Sequence, residues 1–231
     1  MTNSFPFKII DLTHPLSSTI PTWNGHCGFQ QEIKLDYSDC ETAVKFRVQQ
    51  LKMHSGIGTH IDAPLHCIAN GKSVADLALS ELISPCVMID VSKKAKEGYL
   101  ISLADLNAFE ETYGVISAGS FVIFYTGWEK FWYQPEKYRC NYRYPSISKE
   151  VAETLLERKI AGVGIDTLSP DRPSEGYPVH HCMLSAGKYI IENIAYANQL
   201  PPISAYSLAL PLKIEAGTEA PLRLIALLGE E

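Results

Sequence analysis

Residues 54–66 contain the densest group of chemically reactive side chains in the sequence. The segment reads HSGIGTHIDAPLH, so three of the seven histidines, His54, His60 and His66, surround one carboxylate, Asp62. Because side chains alternate along an extended segment, His60 and Asp62 project to the same side and can bind one cation. Imidazoles beside a carboxylate suit a divalent-metal site or an acid–base site.

The residues between these side chains set the shape of the backbone. Gly56, Gly58 and Pro64 are residue types that shape the backbone, and Gly58 with Thr59 permits a tight entry just before His60. Pro64 holds the preceding residue extended and thereby aims His66 at a fixed place. A loop whose polar groups are satisfied by ordinary hydrogen bonds is the alternative. The concentration of these residue types favours an active-site segment.

A second candidate group lies at residues 180–192. The segment begins with the histidine pair His180 and His181 and ends at Glu192, which follows Tyr-Ile-Ile. A carboxylate that is buried among apolar residues needs a charged partner or a metal ion. The histidine pair could supply that partner or further ligands for the ion. A carboxylate at a helix N-terminus is the alternative. Taken with the first segment, the metal-site interpretation is the better one.

Other polar and aromatic residues are more ambiguous. Asp166 ends a predicted strand within GIDTLSPD, where it could present a carboxylate at a sheet edge, but bracing of a loop is the favoured interpretation. Aromatic side chains could line a pocket or pack in the core. These side chains are Trp23, Trp128, Trp132 and Tyr133.

Composition narrows the class of protein. With 231 residues, 46% of them hydrophobic, the chain is typical of a globular protein, and we expect one domain over residues 1–231. A net charge of −6 offers no basic surface for nucleic acid. No apolar stretch suits a membrane helix, and the N-terminal residues lack a signal-peptide pattern, so we expect a cytoplasmic location and no membrane partner. The six scattered cysteines argue against a disulfide framework.

Hydrophobic periodicity predicts many strands and few helices, which indicates an α/β or α+β fold rather than a regular doubly wound repeat. The predicted strands are 7–13, 43–53, 86–91, 121–126, 162–166, 206–212 and 222–228. The predicted helices are 103–113 after Ser102, 149–159 after Ser148, and a shorter one at 76–83.

Several ordered motifs resemble one known family. GTHIDAPLH (58–66) resembles the signature of the cyclase family of metal-dependent hydrolases, which includes bacterial kynurenine formamidases and isatin hydrolase. Further motifs similar to those of the family are IDLTHPLSSTIPTWNG (10–25), FYTGW (124–128), GVGIDTLSPD (162–171), HHCMLSAGKYIIEN (180–193) and PLRLIAL (221–227). The resemblance implies a swivelling β/β/α-type α/β fold, one or two zinc or manganese ions, and hydrolysis of a small amide, formamide or lactam by metal-activated water. It also implies a homodimer or a higher homo-oligomer.

The resemblance assigns roles by position in these motifs. His60 and Asp62 match two metal ligands, and Asp62 could bridge two ions. His66 matches the proposed acid–base residue. His180 and Glu192 match a distal pair that holds a second ion where one is present.

One position departs from the family signature. The first histidine of the signature, four residues before His60, is replaced here by Gly56, which has no ligand atom. His54 could enter the site through a local bulge; otherwise the metal loses a ligand, water fills the gap, or a remote group replaces the imidazole. The remote candidates are His26, Cys27 and His181. Loss of an imidazole changes metal affinity and preference.

Two other functions stay open from the sequence. A cyclase or dehydratase could use the same metal ion without net hydrolysis. A metal-free member of the family could keep the fold and bind a small ligand, and Gly56 is the feature that favours this alternative.

Overall fold

The computed structural model describes residues 5–229. Residues 1–4, part of the N-terminal segment considered above for a signal peptide, and residues 230–231 lie outside this range. The strands are, in chain order, β1 (Phe7–Asp11), β2 (Phe29–Leu35), β3 (Val48–Met53), β4 (His60–Asp62), β5 (Ile83–Asp90), β6 (Leu100–Ile101), β7 (Phe121–Tyr125), β8 (Ser146–Ile147), β9 (Gly162–Ile165), β10 (Tyr189–Glu192), β11 (Ala205–Pro211) and β12 (Glu219–Gly229). The α-helices are α1 (Leu79–Leu82), α2 (Leu103–Tyr113), α3 (Pro135–Arg139), α4 (Lys149–Glu157) and α5 (Pro178–Ser185).

Eight of the strands form one mixed sheet that closes on itself. The strand order is β1-β12-β11-β5-β7-β9-β10-β4, and β4 also pairs with β12. The strands β5, β7, β9 and β10 are parallel, whereas β4, β11, β12 and β1 join them through antiparallel pairs. Two small sheets, the hairpin β2–β3 and the pair β6–β8, lie outside this ring.

Hydrophobic clusters cover both faces of the parallel strands. In β7, Phe121 and Ile123 pack in one cluster, while Val122 packs on the opposite face with residues of α2, α4 and α5. A strand buried on both faces has a continuous apolar sequence, as FVIFY does. Within residues 5–229, no helix is long and apolar enough to cross a membrane.

The predicted fold class, mixed α/β, is confirmed. The helix predicted at 103–113 coincides with α2, and six of the predicted strands coincide with β1, β5, β7, β9, β11 and β12 to within a few residues. The helix predicted at 76–83 is wrong in length, because only Leu79–Leu82 is α-helical and Val74–Asp76 is a 3₁₀ turn. The strand predicted at 43–53 begins only at Val48, as β3. The sequence did not predict β2, β6, β8, β10, α3 or α5, and it offered no strand order.

Gly164 in β9 lies where two buried side chains approach the backbone. An added Cβ would lie 2.5 Å from Ile194 Cδ1 and 2.7 Å from Phe121 Cζ. We expect Gly164→Ala to lower the free energy of unfolding by about 1–3 kcal/mol in urea titrations, because overpacking forces neighbours from their preferred rotamers. Gly229→Ala is the control, since its Cβ would meet no atom within 4 Å. Equal effects of the two substitutions would contradict this account.

Candidate metal centre

Three adjacent strands place acidic and imidazole side chains on one face of the sheet. Glu192 of β10 is opposite His60 of β4, and Glu219 of β12 is opposite Asp62. Directly opposed residues project to the same face, so the four side chains converge. Between His60 and Asp62, the fully buried Ile61 points the other way, into the core.

Helix α5 supplies a second imidazole. Asp171, which is fully buried, accepts hydrogen bonds from the backbone N–H groups of Val179 at 3.0 Å and His180 at 2.8 Å. The same carboxylate lies 2.8 Å from Nδ1 of His180. With the Asp171 carboxylate as acceptor, Nδ1 is the donor of this bond and Nε2 is the nitrogen left for another partner. Asp171 therefore anchors the first turn of α5 and orients the ring.

His60 is oriented in the same way by a backbone carbonyl. Its Nδ1 lies 2.9 Å from the carbonyl oxygen of Gly58, which can only accept, so Nε2 again faces the carboxylates. Asn193 fixes this carbonyl by donating from Nδ2 at 2.9 Å. Gly58 has a φ of +63°, a conformation that favours glycine. The glycine thus permits the turn that positions the imidazole.

The Nε2 atoms of the two imidazoles lie at distances from Asp62 and Glu192 that suit ligands of divalent ions. Nε2 of His60 lies 3.4 Å from Asp62 Oδ1 and 3.4 Å from Glu192 Oε2. Nε2 of His180 lies 3.6 Å from Asp62 Oδ2 and 3.5 Å from Glu192 Oε1. Ligand atoms about 2.1 Å from a tetrahedral ion are themselves about 3.4 Å apart. Asp62 is 1% exposed, and within residues 5–229 no donor forms a hydrogen bond to either oxygen. The residues therefore fit a metal ion.

The carboxylates create a field that attracts positive charge. Burial disfavours protonation of His60, but Asp62 and Glu192 outweigh it and raise the pKa of His60 to about 10. Burial opposes ionisation of Asp62, yet the two imidazoles hold the pKa of this carboxyl well below its usual range. Burial and the adjacent Asp62 raise the pKa of Glu192. A divalent cation would meet the same field that favours these protons.

Glu219 brings a third carboxylate to the centre. Ligand atoms of His60, Asp62 and Glu219 lie within 4.8 Å of one another, as do those of Asp62, His180 and Glu192. The two groups share Asp62. Burial works against ionisation of Glu219, but its bond with His66 and the nearby imidazoles keep its pKa below the usual value. The centre therefore contains two overlapping sets of possible ligands.

His66 lies beside this centre rather than within it. It ends the 3₁₀ turn Pro64–His66, has a side chain that is 33% exposed, and places Nδ1 at 3.3 Å from Glu219 Oε2. This contact is the main reason that the pKa of His66 is raised above its ordinary value, although burial opposes the shift. With Nδ1 directed at Glu219, Nε2 is the nitrogen available to a bound molecule.

The structure brings five of the residues singled out in the sequence around one cavity of about 360 Å³. These are His60, Asp62, His66, His180 and Glu192. It does not place His54 with them. His54 is exposed, its backbone N–H donates to the carbonyl of Gly28 at 2.9 Å, and no bulge carries its ring to the cluster. The remote candidates are also exposed and do not line the cavity: His26, Cys27 and His181.

Two residues of the site were missed in the sequence. Glu219 could not be recognised from its neighbours, because the segment TEAPLR contains no histidine, cysteine or second carboxylate that would indicate a metal site. Asp171 was within a noted motif, but its partner His180 was not recognisable from spacing. Asp166 braces a loop, as favoured above, since it accepts from the backbone N–H groups of Thr126 and Trp128.

The aromatic residues divide between the core and the cavity. Trp128 and Trp132 are buried in a hydrophobic cluster and do not line the cavity, and Tyr133 is 80% exposed. Trp23 lines the cavity together with Tyr177, and their ring centroids are 6.2 Å apart. One wall of the cavity is therefore aromatic.

Comparisons with known proteins show which family the chain resembles. Residues 10–172 match the sequence model of the family described as "Putative cyclase". An isatin hydrolase from Roseibium aggregatum is 32% identical over 186 residues, covering 74% of this chain and 70% of that protein. A kynurenine formamidase from Salinibacter ruber is 27% identical over 218 residues, covering 94% of this chain and 96% of that protein.

Solved structures show the same fold. Isatin hydrolase A from Ralstonia solanacearum superposes with a TM-score of 0.87 at 31% identity, covering 96% of this chain and 92% of that one. A protein described as a potential metal-dependent hydrolase with cyclase activity gives a TM-score of 0.77 at 26% identity, covering 97% of this chain and 100% of that one.

The contact between Asp171 and His180 predicts a measurable effect on metal affinity. We expect Asp171→Asn to weaken binding of Zn²⁺ or Mn²⁺ by about 10- to 100-fold, because a neutral partner orients the imidazole less firmly and makes it less basic. Competition titration with a chromogenic chelator measures the affinity. Asp105→Asn is the matched control, since Asp105 also accepts a backbone N–H at a helix start, from Ser102 at 3.0 Å, but lies outside the cavity. Equal affinities of the two variants would refute the role of Asp171.

Proposed function

The chain belongs to the cyclase family, because the family's sequence model and a relative above 30% identity each match most of its residues, and we propose that it is a metal-dependent hydrolase of small amides. The observation that carries this proposal is the buried pair Asp62 and Glu192, which faces two imidazole Nε2 atoms within a cavity. The names of the relatives, isatin hydrolase and kynurenine formamidase, support hydrolysis of an amide bond.

We propose that His60, Asp62, His180 and Glu192 hold one or two ions of zinc or manganese, with Asp62 shared between the two positions. The overlapping ligand groups support two positions. When bound, a divalent ion polarises a carbonyl oxygen and lowers the pKa of water towards neutrality. The protein fixes the ligands in advance, because Asp171 and the Gly58 carbonyl orient both rings.

His66 is proposed as the acid–base residue. Its Nδ1 faces Glu219, so Nε2 can exchange a proton with a molecule in the cavity. The contact with Glu219 raises the pKa of His66, which favours the protonated ring more than in a free histidine. A protonated imidazole can donate to the nitrogen of the amide as the C–N bond breaks, which makes the amine a better leaving group.

The cavity favours a small, flat substrate. Its volume of about 360 Å³ is at the low end for ligand pockets. Trp23, Tyr177 and Leu168 form apolar parts of the wall, which suits an aromatic ring next to the reacting carbonyl. A bicyclic lactam of the isatin type or an aryl formamide has this shape.

The alternatives have less support. A cyclase or dehydratase would use the same ligands, and no feature of the cavity favours it over a hydrolase. The other alternative, a metal-free protein that binds a small ligand, was favoured in the sequence by Gly56 alone. The carboxylate of Glu219 lies beside Gly56, so this glycine no longer indicates a lost centre.

We propose a homodimer or a higher homo-oligomer in the cytoplasm. The hairpin β2–β3 supports self-association, because Ile33 and Leu51 lie on one face and are 47% and 51% exposed. Exposed apolar patches of this kind often mark protein interfaces. The location rests on the sequence arguments alone.

The metal requirement gives a direct test. Purified protein should contain a divalent metal, and removal with dipicolinate should abolish hydrolysis of isatin or N-formylkynurenine and lower the midpoint of thermal unfolding, because the bound ion stabilises the native state. Added Mn²⁺ or Zn²⁺ should restore both properties. Less than about a tenth of an equivalent bound, with no uptake on titration, would contradict the proposal.

The role of His66 can be separated from metal binding. We expect His66→Ala to lower kcat by about 10²- to 10⁴-fold while the metal content is unchanged, because a proton donor is lost but no ligand is. Metal analysis and steady-state kinetics on the same preparation measure both. His54→Ala is the control and should behave as the unmodified protein. Loss of metal in His66→Ala would reassign this residue as a ligand.

A further inference from the structure

The carboxylate of Glu219 lies in the space that a side chain at position 56 would use. A Cβ built on Gly56 would lie 2.1 Å from Glu219 Oε1 and 3.3 Å from Nε2 of His60. The backbone of Gly56 is outside the left-handed region, so its conformation admits any side chain. A side chain at this position would therefore displace the carboxylate of Glu219 from its observed place.

The two oxygens of Glu219 have different surroundings. Oε2 accepts hydrogen bonds from Ser55 Oγ and Thr218 Oγ1, both at 3.2 Å, and lies 3.3 Å from Nδ1 of His66. These three donors hold the carboxylate in one orientation. Oε1 is directed towards Gly56 and His60 instead, and no donor within residues 5–229 forms a hydrogen bond to it. An oriented carboxylate with one oxygen free of donors is suited to binding a cation.

We propose that Glu219 Oε1 is a metal ligand that takes the place of the imidazole absent at position 56. The position next to His60 then has one imidazole and two carboxylates, from Asp62 and Glu219. The position next to His180 has the same composition, with Asp62 shared and Glu192 as the second carboxylate. This inference rests on the proposed metal-dependent function and adds a ligand to it.

A carboxylate in place of an imidazole changes which ion the site prefers. Carboxylate oxygens suit Mn²⁺ and Mg²⁺, whereas imidazole nitrogens suit Zn²⁺. The third carboxylate also adds negative charge, so two divalent ions are neutralised more completely. The ratio of Zn²⁺ to Mn²⁺ affinity should therefore be lower here than in a site with a histidine at position 56.

The first experiment removes only the charge of Glu219. Mn²⁺ binding to the full chain is followed by electron paramagnetic resonance of the free ion and by isothermal titration. We expect Glu219→Gln to weaken Mn²⁺ binding at one position by about tenfold or more, while the position formed by Asp62, His180 and Glu192 still binds. Glu215→Gln is the matched control, because Glu215 is exposed, lies four residues away and does not line the cavity.

The second experiment exchanges the two ligand types. Gly56→His should abolish binding at this position when Glu219 is present, because the two side chains need the same space. The double variant Gly56→His with Glu219→Ala should regain binding and raise the ratio of Zn²⁺ to Mn²⁺ affinity by about tenfold or more. This recovery distinguishes a ligand exchange from simple damage to the fold.

The outcomes separate this inference from the proposed function. If unmodified protein binds no divalent ion, both fail. If unmodified protein binds Mn²⁺ and Glu219→Gln binds it with the same stoichiometry and within twofold of the same affinity, the ligand role of Glu219 is overturned while the proposed function stands. If the double variant binds the metal ion no better than Gly56→His alone, the proposed exchange of the Glu219 ligand for an imidazole is overturned as well.

Discussion

The burial of Asp62 is the constraint on which the centre depends. Its carboxylate is 1% exposed, accepts no hydrogen bond within residues 5–229, and lies beside a second buried carboxylate, Glu192. Burying a charge costs several kcal/mol unless an opposite charge compensates it. The surrounding structure supplies that compensation through His60 and His180, whose Nε2 atoms are both turned towards the carboxylates. Two fixed imidazoles and two buried carboxylates form a centre that suits a divalent cation.

Closure of the sheet is what assembles this centre. Strand β4 has three residues, yet it pairs on one side with β10 and on the other with β12. These pairs place Glu192 and Glu219 beside His60 and Asp62, although the residues are far apart in the sequence. The opposite face of β4 is fixed by Ile61 in the core. The same hydrogen bonds that close the ring therefore set the spacing of the charged groups.

Part of this arrangement could be predicted from the sequence, because it is local. His60, Asp62 and His66 were recognisable from residue types at short spacing on a backbone shaped by glycine and proline. Glu192 was recognisable as a carboxylate after apolar residues, although β10 was not predicted, since a run of three such residues fits a strand or a helix equally well. Glu219 could not be predicted, because only strand pairing brings it to Gly56. That glycine was noticed as a missing ligand, whereas the structure shows a carboxylate beside it.

The measurement that tests the account most directly is anomalous X-ray diffraction from crystals of the protein grown with Mn²⁺. We expect a strong anomalous peak within about 2.5 Å of a carboxylate oxygen of Asp62, between the Nε2 atoms of His60 and His180, at one or two positions. A map with no peak within ligand distance of Asp62, from protein that is folded and saturated with Mn²⁺, would contradict it.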